Sequence, residues 1–210
     1  MFPPLYAILD PRLIARPLKE VARLFADEGV ELMQLRDKLS SAHRVYRQAR
    51  ELLDQFASAN VRIIINDRPD IAAIIRAGGV HVGQEDLPVE VARSICGTQR
   101  WVGVSTHNLA QLREADHSSA DYIAVGPIFP TGTKQNPDPV VGVDFVRAAR
   151  ELTRKPLVAI GGITVESAPE IFRAGADSVA VVGDLLAAAD PARRVREYLA
   201  AAKESSTGRE

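Results

Sequence analysis

The sequence holds one cysteine, Cys96, so no intrachain disulfide is available. A reducing, cytoplasmic compartment is the natural expectation. Neither charge is in excess: 26 Lys and Arg stand against 27 Asp and Glu, for a formal net charge of -1. That balance argues against a general nucleic-acid surface and against attraction to acidic membranes. No apolar run approaches the roughly 18 residues needed to span a bilayer. The start, Met1 through Pro3 and Pro4 into Leu5, has neither a basic region nor a long apolar one, so no signal peptide is expected. No Gly-x-Gly-x-x-Gly follows the first apolar run, which weakens a dinucleotide-binding reading.

What is present is an alternation. Eight short runs rich in Val, Ile and Leu fall at 5–9, 30–35, 61–65, 79–82, 101–104, 121–125, 157–160 and 178–182. They do not alternate with polar residues, as expected of strands buried on both faces of a parallel sheet. Amphipathic segments separate them. Leu18, Val21, Ala22, Leu24 and Phe25 share one helical face, as do Val45, Ala49, Leu52, Leu53 and Phe56. Further helices are predicted at 69–77, 88–95, 109–115, 143–152, 165–173 and 191–201. Several begin at Pro, and several end at Gly, as at Gly29, Gly78 and Gly175. Eight strand–helix units in 210 residues predict a single-domain (β/α)₈ TIM barrel over 1–202, with a polar, frayed tail at 203–210. A doubly wound open sheet is the alternative, because periodicity does not report closure.

In such a barrel chemistry sits at the C-terminal ends of the strands. Gln34, Arg36 and Lys38 alternate to one side after the second run, with Leu35 facing away. Two cations there suit a polyanion, since Arg grips a phosphate with two donors and Lys adds a point charge. Asp67 and Asp86 end neighbouring runs. Converging carboxylates repel unless a cation or proton intervenes, and hard oxygen ligands suit Mg²⁺. The alternative is that each pairs with a nearby Arg such as Arg68. The sixth run leads into Gly126-Pro127-Ile128-Phe129-Pro130-Thr131-Gly132-Thr133-Lys134, two hydroxyls and an ammonium in one loop, which suits an oxyanion. Gly161-Gly162 and Val182-Gly183 follow the last two runs, where this fold often binds phosphate through backbone N–H groups. The mouth is thus expected to hold two anion sites. His107 and Cys96 read as structural groups, and Tyr6 and Trp101 as barrel packing.

The motifs GPIFPTGTK, QLRDK, IINDRPDIA, GVHVGQEDLP, VGVSTHN and VAIGGI occur in this order. Together they resemble the thiamine-phosphate synthase family from about Leu5 to Leu185. The resemblance implies a transferase that joins 4-amino-2-methyl-5-hydroxymethylpyrimidine diphosphate to 4-methyl-5-(2-phosphooxyethyl)thiazole, with Mg²⁺ as cofactor. It places the pyrimidine diphosphate against Gln34, Leu35, Arg36, Asp37, Lys38, Asn66, Ser105 and Lys134. The thiazole phosphate falls to Thr131, Gly132, Thr133, Gly162, Val182 and Gly183, and Mg²⁺ to Asp67 and Asp86. Lys134, Arg36, Lys38 and Ser105 are the implied catalytic groups. Partners are small molecules, with no nucleic acid and no membrane; the oligomeric state, a homo-oligomer included, stays open.

The chain departs from the family in two places. Many relatives carry Ser where Gly183 stands, and the insert Gln135-Asn136-Pro137-Asp138-Pro139 differs from the usual form. A thiazole tautomerase of the same fold is the closest rival. It resembles this chain at His107, but has His in place of Pro127 and lacks the full Thr-x-Thr-Lys. A non-catalytic thiamine-phosphate sensor would be expected to lose the Mg²⁺ carboxylates or Lys134.

Overall fold

In a computed structural model that describes residues 1–132 and 138–206, the eight apolar runs close into one parallel barrel in sequence order. The strands are β1 (Leu5–Leu9), β2 (Leu32–Leu35), β3 (Arg62–Asn66), β4 (Gly79–Val82), β5 (Trp101–Thr106), β6 (Tyr122–Val125), β7 (Leu157–Ile160) and β8 (Ser178–Val181). Closure is direct: β1 pairs with β2 through Tyr6 and Leu32, and with β8 through Tyr6 and Ala180. The open-sheet alternative is thereby excluded.

Each strand is buried on both faces, and the pleat divides its residues between two cores. Tyr6 and Ile8 point into the barrel and pack with Leu32, Ile64, Tyr122, Ala124, Val158 and Ala180. Leu5, Ala7 and Leu9 point outward under the helices. Phe2 stacks on Trp101, ring centroids 5.1 Å apart, and the Arg62 guanidinium lies over the Trp101 ring at 4.0 Å. These groups gather around the Tyr122 ring at the N-terminal end of the barrel.

Nine helices are described: α1 (Leu18–Asp27), α2 (Ala42–Gln55), α3 (Pro69–Ile74), α4 (Val89–Cys96), α5 (Leu109–His117), α6 (Gly142–Leu152), α7 (Ala168–Arg173), α8 (Gly183–Leu186) and α9 (Pro191–Ser206). The apolar face of α1 buries Val21, Ala22 and Phe25. Truncating a fully buried Phe such as Phe25 to Ala costs about 3–5 kcal/mol. Ser41 caps α2 by accepting the Arg44 N–H.

Several boundaries differ from the sequence reading. The second strand begins at Leu32, two residues later than expected. The fifth runs on through Ser105 and Thr106, because both pair with β6 at Ala124 and Val125. Helix α3 stops at Ile74, ahead of Arg76 at φ +58°, so the left-handed position falls on Arg76 and not on Gly78. Gly78 is required for another reason: a Cβ there would lie 2.4 Å from Arg62 Cγ. The short α8 was not foreseen. The last helix extends through Ser206, past the expected start of the frayed tail, on the good helix formers Ala201, Ala202, Lys203 and Glu204. Among the described residues no helix is long and apolar enough to cross a membrane.

Candidate active site

A cavity of about 670 Å³ opens at the C-terminal end of the barrel. Its floor is apolar, with Ile8, Ala124, Val158 and Ala180, and its walls carry the polar strand ends. Volume and lining suit small-molecule substrates. Gln34, Arg36, Lys38, Asn66, Asp67, Asp86, Ser105, Thr131, Gly132, Gly162, Val182 and Gly183 all reach it. Leu35 and Asp37 do not. Leu35 belongs to the outer core, as the pleat requires once Gln34 points inward. Asp37 turns away to accept the N–H groups of Leu39 and Ser40. Thr133 and Lys134 lie outside the described residues.

Two cations are held in place by acids. Arg36 Nη1 donates to Asp10 Oδ2 at 2.7 Å, and Lys38 Nζ lies 2.9 Å from Asp67 Oδ2. Asp10 is completely buried and also receives Arg12. Burial pushes its carboxyl up, but hydrogen bonds from Arg12 and the charges of Arg12 and Arg36 prevail and hold it below the usual range. Sequence reading missed Asp10. Its signal was simple: it is the first polar residue after the first strand.

Asp67 sits at φ +60°, a left-handed conformation that Asp tolerates better than most residues. Its N–H donates to His81 O at 2.8 Å. Arg68 does not serve Asp67, since it forks onto Asp70 at 2.9 and 2.6 Å. Asp86 Oδ2 accepts the Gly83 N–H at 2.8 Å. Burial pushes the Asp86 carboxyl up, and its contact with Asp67 adds to that, against the pull of Gly83 N–H and Lys38. Two carboxylates sharing one corner disfavour each other's charge. Among the described residues no cluster of three or more His, Cys, Asp or Glu that could hold a metal ion is found, so this corner offers two carboxylates only.

The opposite wall is built from backbone. Gly161 and Gly162 have φ of +100° and +64°. A Cβ at Gly162 would lie 2.4 Å from Pro130 O, and one at Gly161 would lie 2.6 Å from Pro127 Cα. Only glycine lets β7 hand over to a loop packed this closely on the segment after β6. Ile128 N and Phe129 N donate to Ile160 O and Gly161 O, tying the two loops together. Gly183 opens α8, whose first N–H groups have no partner within that helix.

Two further groups need placing. His107 Nδ1 lies 2.6 Å from Gly126 O. A carbonyl only accepts, so Nδ1 carries the proton and His107 braces the loop after β6. Ser105 Oγ lies 2.9 Å from His81 Nε2, and Gln84 Nε2 donates to Ser105 O at 2.7 Å. His81 was also missed, because it stands inside an apolar run and only the barrel register turns it inward.

The sequence profile described as thiamine monophosphate synthase matches residues 5–185. The chain belongs to the thiamine-phosphate synthase family. A thiamine-phosphate synthase from Koribacter versatilis is 48% identical over 202 residues, covering 94% of this chain and 94% of the relative. One from Shouchella clausii is 40% identical, covering 96% and 97%. Among solved structures, thiamine phosphate pyrophosphorylase from Pyrococcus furiosus aligns with a TM-score of 0.87 at 31% identity, over 96% of both chains. The protein is accordingly a transferase of thiamine biosynthesis. For thiamine-phosphate synthases a cavity with a cationic wall facing a backbone wall has an immediate use.

Proposed function

We propose that the family's coupling reaction runs across this cavity, the pyrimidine diphosphate against the β2–β5 wall and the thiazole phosphate against the β7–β8 wall. The observation that carries this reading is the division of the walls. Arg36, Lys38, Asp67, Asp86 and Ser105 converge on one side, and Gly162, Val182 and Gly183 face them across an apolar floor.

In this reading the bond between the pyrimidine methylene carbon and the diphosphate oxygen breaks first, and its electron pair leaves with the diphosphate. The thiazole nitrogen then gives its lone pair to the methylene carbon, forming the C–N bond of thiamine phosphate. Arg36 and Lys38, already fixed by Asp10 and Asp67, face the charge that grows on the leaving group, with Lys134 assigned to the same task. Groups held in place beforehand spend no energy reorganising during the reaction. Thr131, Gly132, Thr133 and the β7–β8 backbone hold the second phosphate, so that the thiazole nitrogen lies in line with the methylene carbon. No protein nucleophile or general base is needed, which agrees with the bracing position of His107.

Asp67 and Asp86 would hold Mg²⁺, and Gln34 and Asn66 would meet the pyrimidine side. The raised affinity of Asp86 for a proton supports a cation site, because a bound cation relieves the same repulsion. When bound, the ion would neutralise charge on the departing diphosphate. A cytoplasmic location belongs to the same reading.

Lys38→Ala is the test. It is expected to raise KM for the pyrimidine diphosphate and lower kcat by about 10²-fold, the scale for losing one preorganised charge-stabilising group. KM for the thiazole phosphate should stay unchanged. Equal changes in both KM values would sink the two-wall assignment.

A further inference from the structure

A chain of hydrogen bonds crosses the barrel interior beside the cavity, and the coupling reaction as described above uses only its two ends. Gln34 Nε2 lies 2.7 Å from Tyr6 Oη, which lies 3.0 Å from Tyr122 Oη. Tyr122 Oη lies 3.0 Å from His81 Nδ1, and His81 Nε2 lies 2.9 Å from Ser105 Oγ. Gln34, Tyr6, Tyr122 and His81 are all buried. The Tyr6 ring meets Tyr122 edge-on and the His81 ring stacks on it, so none of the three turns freely.

The protons in this chain can be counted. An amide NH₂ only donates, a phenol carries one hydrogen, and a neutral imidazole carries one N–H. His81 is buried and each of its ring nitrogens meets one hydroxyl, so it is counted as the neutral imidazole. Gln34 donates to Tyr6, so the Tyr6 hydrogen goes to Tyr122 and the Tyr122 hydrogen goes to His81 Nδ1. That leaves the His81 proton on Nε2, where it is given to Ser105 Oγ. With one lone pair of Oγ occupied, the Ser105 hydrogen remains for the cavity.

We propose that this chain makes Ser105 a committed donor toward the substrate anion, with Tyr6, Tyr122 and His81 as positioning residues that fix its direction. The proposal rests on reading the β2–β5 wall as the diphosphate side. The reverse chain would need the His81 proton on Nδ1, with Tyr6 Oη either accepting from both Gln34 and Tyr122 and turning its own hydrogen off the chain, or donating to a turned Gln34. Ser105 would then use its hydrogen on His81 and present only lone pairs to an anion, which is repulsive. A hydroxyl donor to an oxyanion is instead among the stronger hydrogen bonds available. The chain also gives physical meaning to Tyr122, which does not line the cavity itself.

The test is the tautomer of His81 in the intact protein. The chain has four histidines, His43, His81, His107 and His117. Protein labelled with ¹⁵N-histidine is examined by long-range ¹H–¹⁵N correlation at pH 7. Single Gln substitutions at His43, His107 and His117 assign their own signals by loss. The expected result is one His81 species with hydrogen on Nε2 and a bare Nδ1. Hydrogen on Nδ1, or a mixture of tautomers, overturns the proposal.

Tyr122→Phe supplies the second readout. It should admit the other tautomer and lower kcat about tenfold, the equivalent of one modest transition-state contact, with KM for the thiazole phosphate unchanged. A folded Tyr122→Phe protein with wild-type kcat overturns the positioning role. If that variant does not fold, the wild-type spectrum decides alone. A wild-type protein with the expected tautomer but no coupling activity would refute the functional reading and leave the hydrogen-bond direction standing.

Discussion

Replacing Asp10 by Asn removes one buried negative charge and keeps the shape of the side chain. The carboxylate receives Arg12 N, Nε and Nη2 at 3.1, 3.0 and 2.7 Å and Arg36 Nη1 at 2.7 Å. Breaking a buried ion pair from one side costs about 3–5 kcal/mol. Here the guanidiniums keep some solvent, with 33% of the Arg12 side chain and 15% of the Arg36 side chain exposed. Asn also retains one acceptor oxygen. The expected loss is therefore smaller, about 2 kcal/mol. For a chain of this size that lowers Tm by about 6 °C.

The sign with pH follows from the direction of the Asp10 shift. Folding holds this carboxyl below its usual range. Its contribution is thus fully present above the unfolded value of about 3.9 and is lost as pH falls through the folded value. Thermal melts of both proteins from pH 3 to 8 should show a Tm gap that is widest near neutrality and narrows below about pH 4. In parallel, kcat/KM for the pyrimidine diphosphate should fall about tenfold as Arg36 loses its fixed direction. A Tm gap of the same size at pH 3 and pH 7 would refute the charge argument. Unchanged kinetics would refute the claim that Asp10 aims Arg36.

Three other substitutions probe the two walls. Burial and Asp67 push the Asp86 carboxyl up, so its ionised form opposes folding once pH rises past the unfolded value, and Asp86→Asn should leave Tm at pH 7 unchanged or slightly higher in metal-free buffer. The same variant should lose both Mg²⁺-dependent turnover and any Tm gain on adding Mg²⁺; a wild-type response to a Mg²⁺ titration would count against the cation site. On the other wall, Gly162→Ala should cost about 2–3 kcal/mol in thermal melts, from φ +64° and the collision with Pro130 O. Gly183→Ala, where a Cβ meets nothing within 4 Å, should be neutral within about 0.5 kcal/mol, and equal losses at the two glycines would contradict this account of the wall.

The parts of the site legible in the sequence are those where position in the repeat carries the information. Arg36, Lys38, Asp67, Asp86 and the glycines all stand directly after an apolar run, and a barrel brings such positions to one mouth. At Gly183 a Cβ would meet nothing within 4 Å, so the position has room for a small side chain as well as for glycine. Leu35 and Asp37 were carried along with their motif, and the pleat sends Leu35 into the outer core. Groups that act through other residues were harder to see. Asp10 stands directly after the first strand, but its role depends on Arg36, 26 residues away along the chain. Tyr6, His81 and Tyr122 lie in three different strands, and nothing in spacing along the chain shows that their polar atoms meet inside the barrel. Helix ends shifted where one left-handed residue or one short unforeseen helix decided them, as at Arg76 and α8.

The most direct measurement is the coupling reaction itself. Purified protein is mixed with the pyrimidine diphosphate, the thiazole phosphate and Mg²⁺, and thiamine phosphate and diphosphate are followed together. The account predicts release of both products in equal amounts, abolished by a chelator and restored by Mg²⁺. A folded protein that gives no thiamine phosphate, or one whose turnover is indifferent to the chelator, would contradict it.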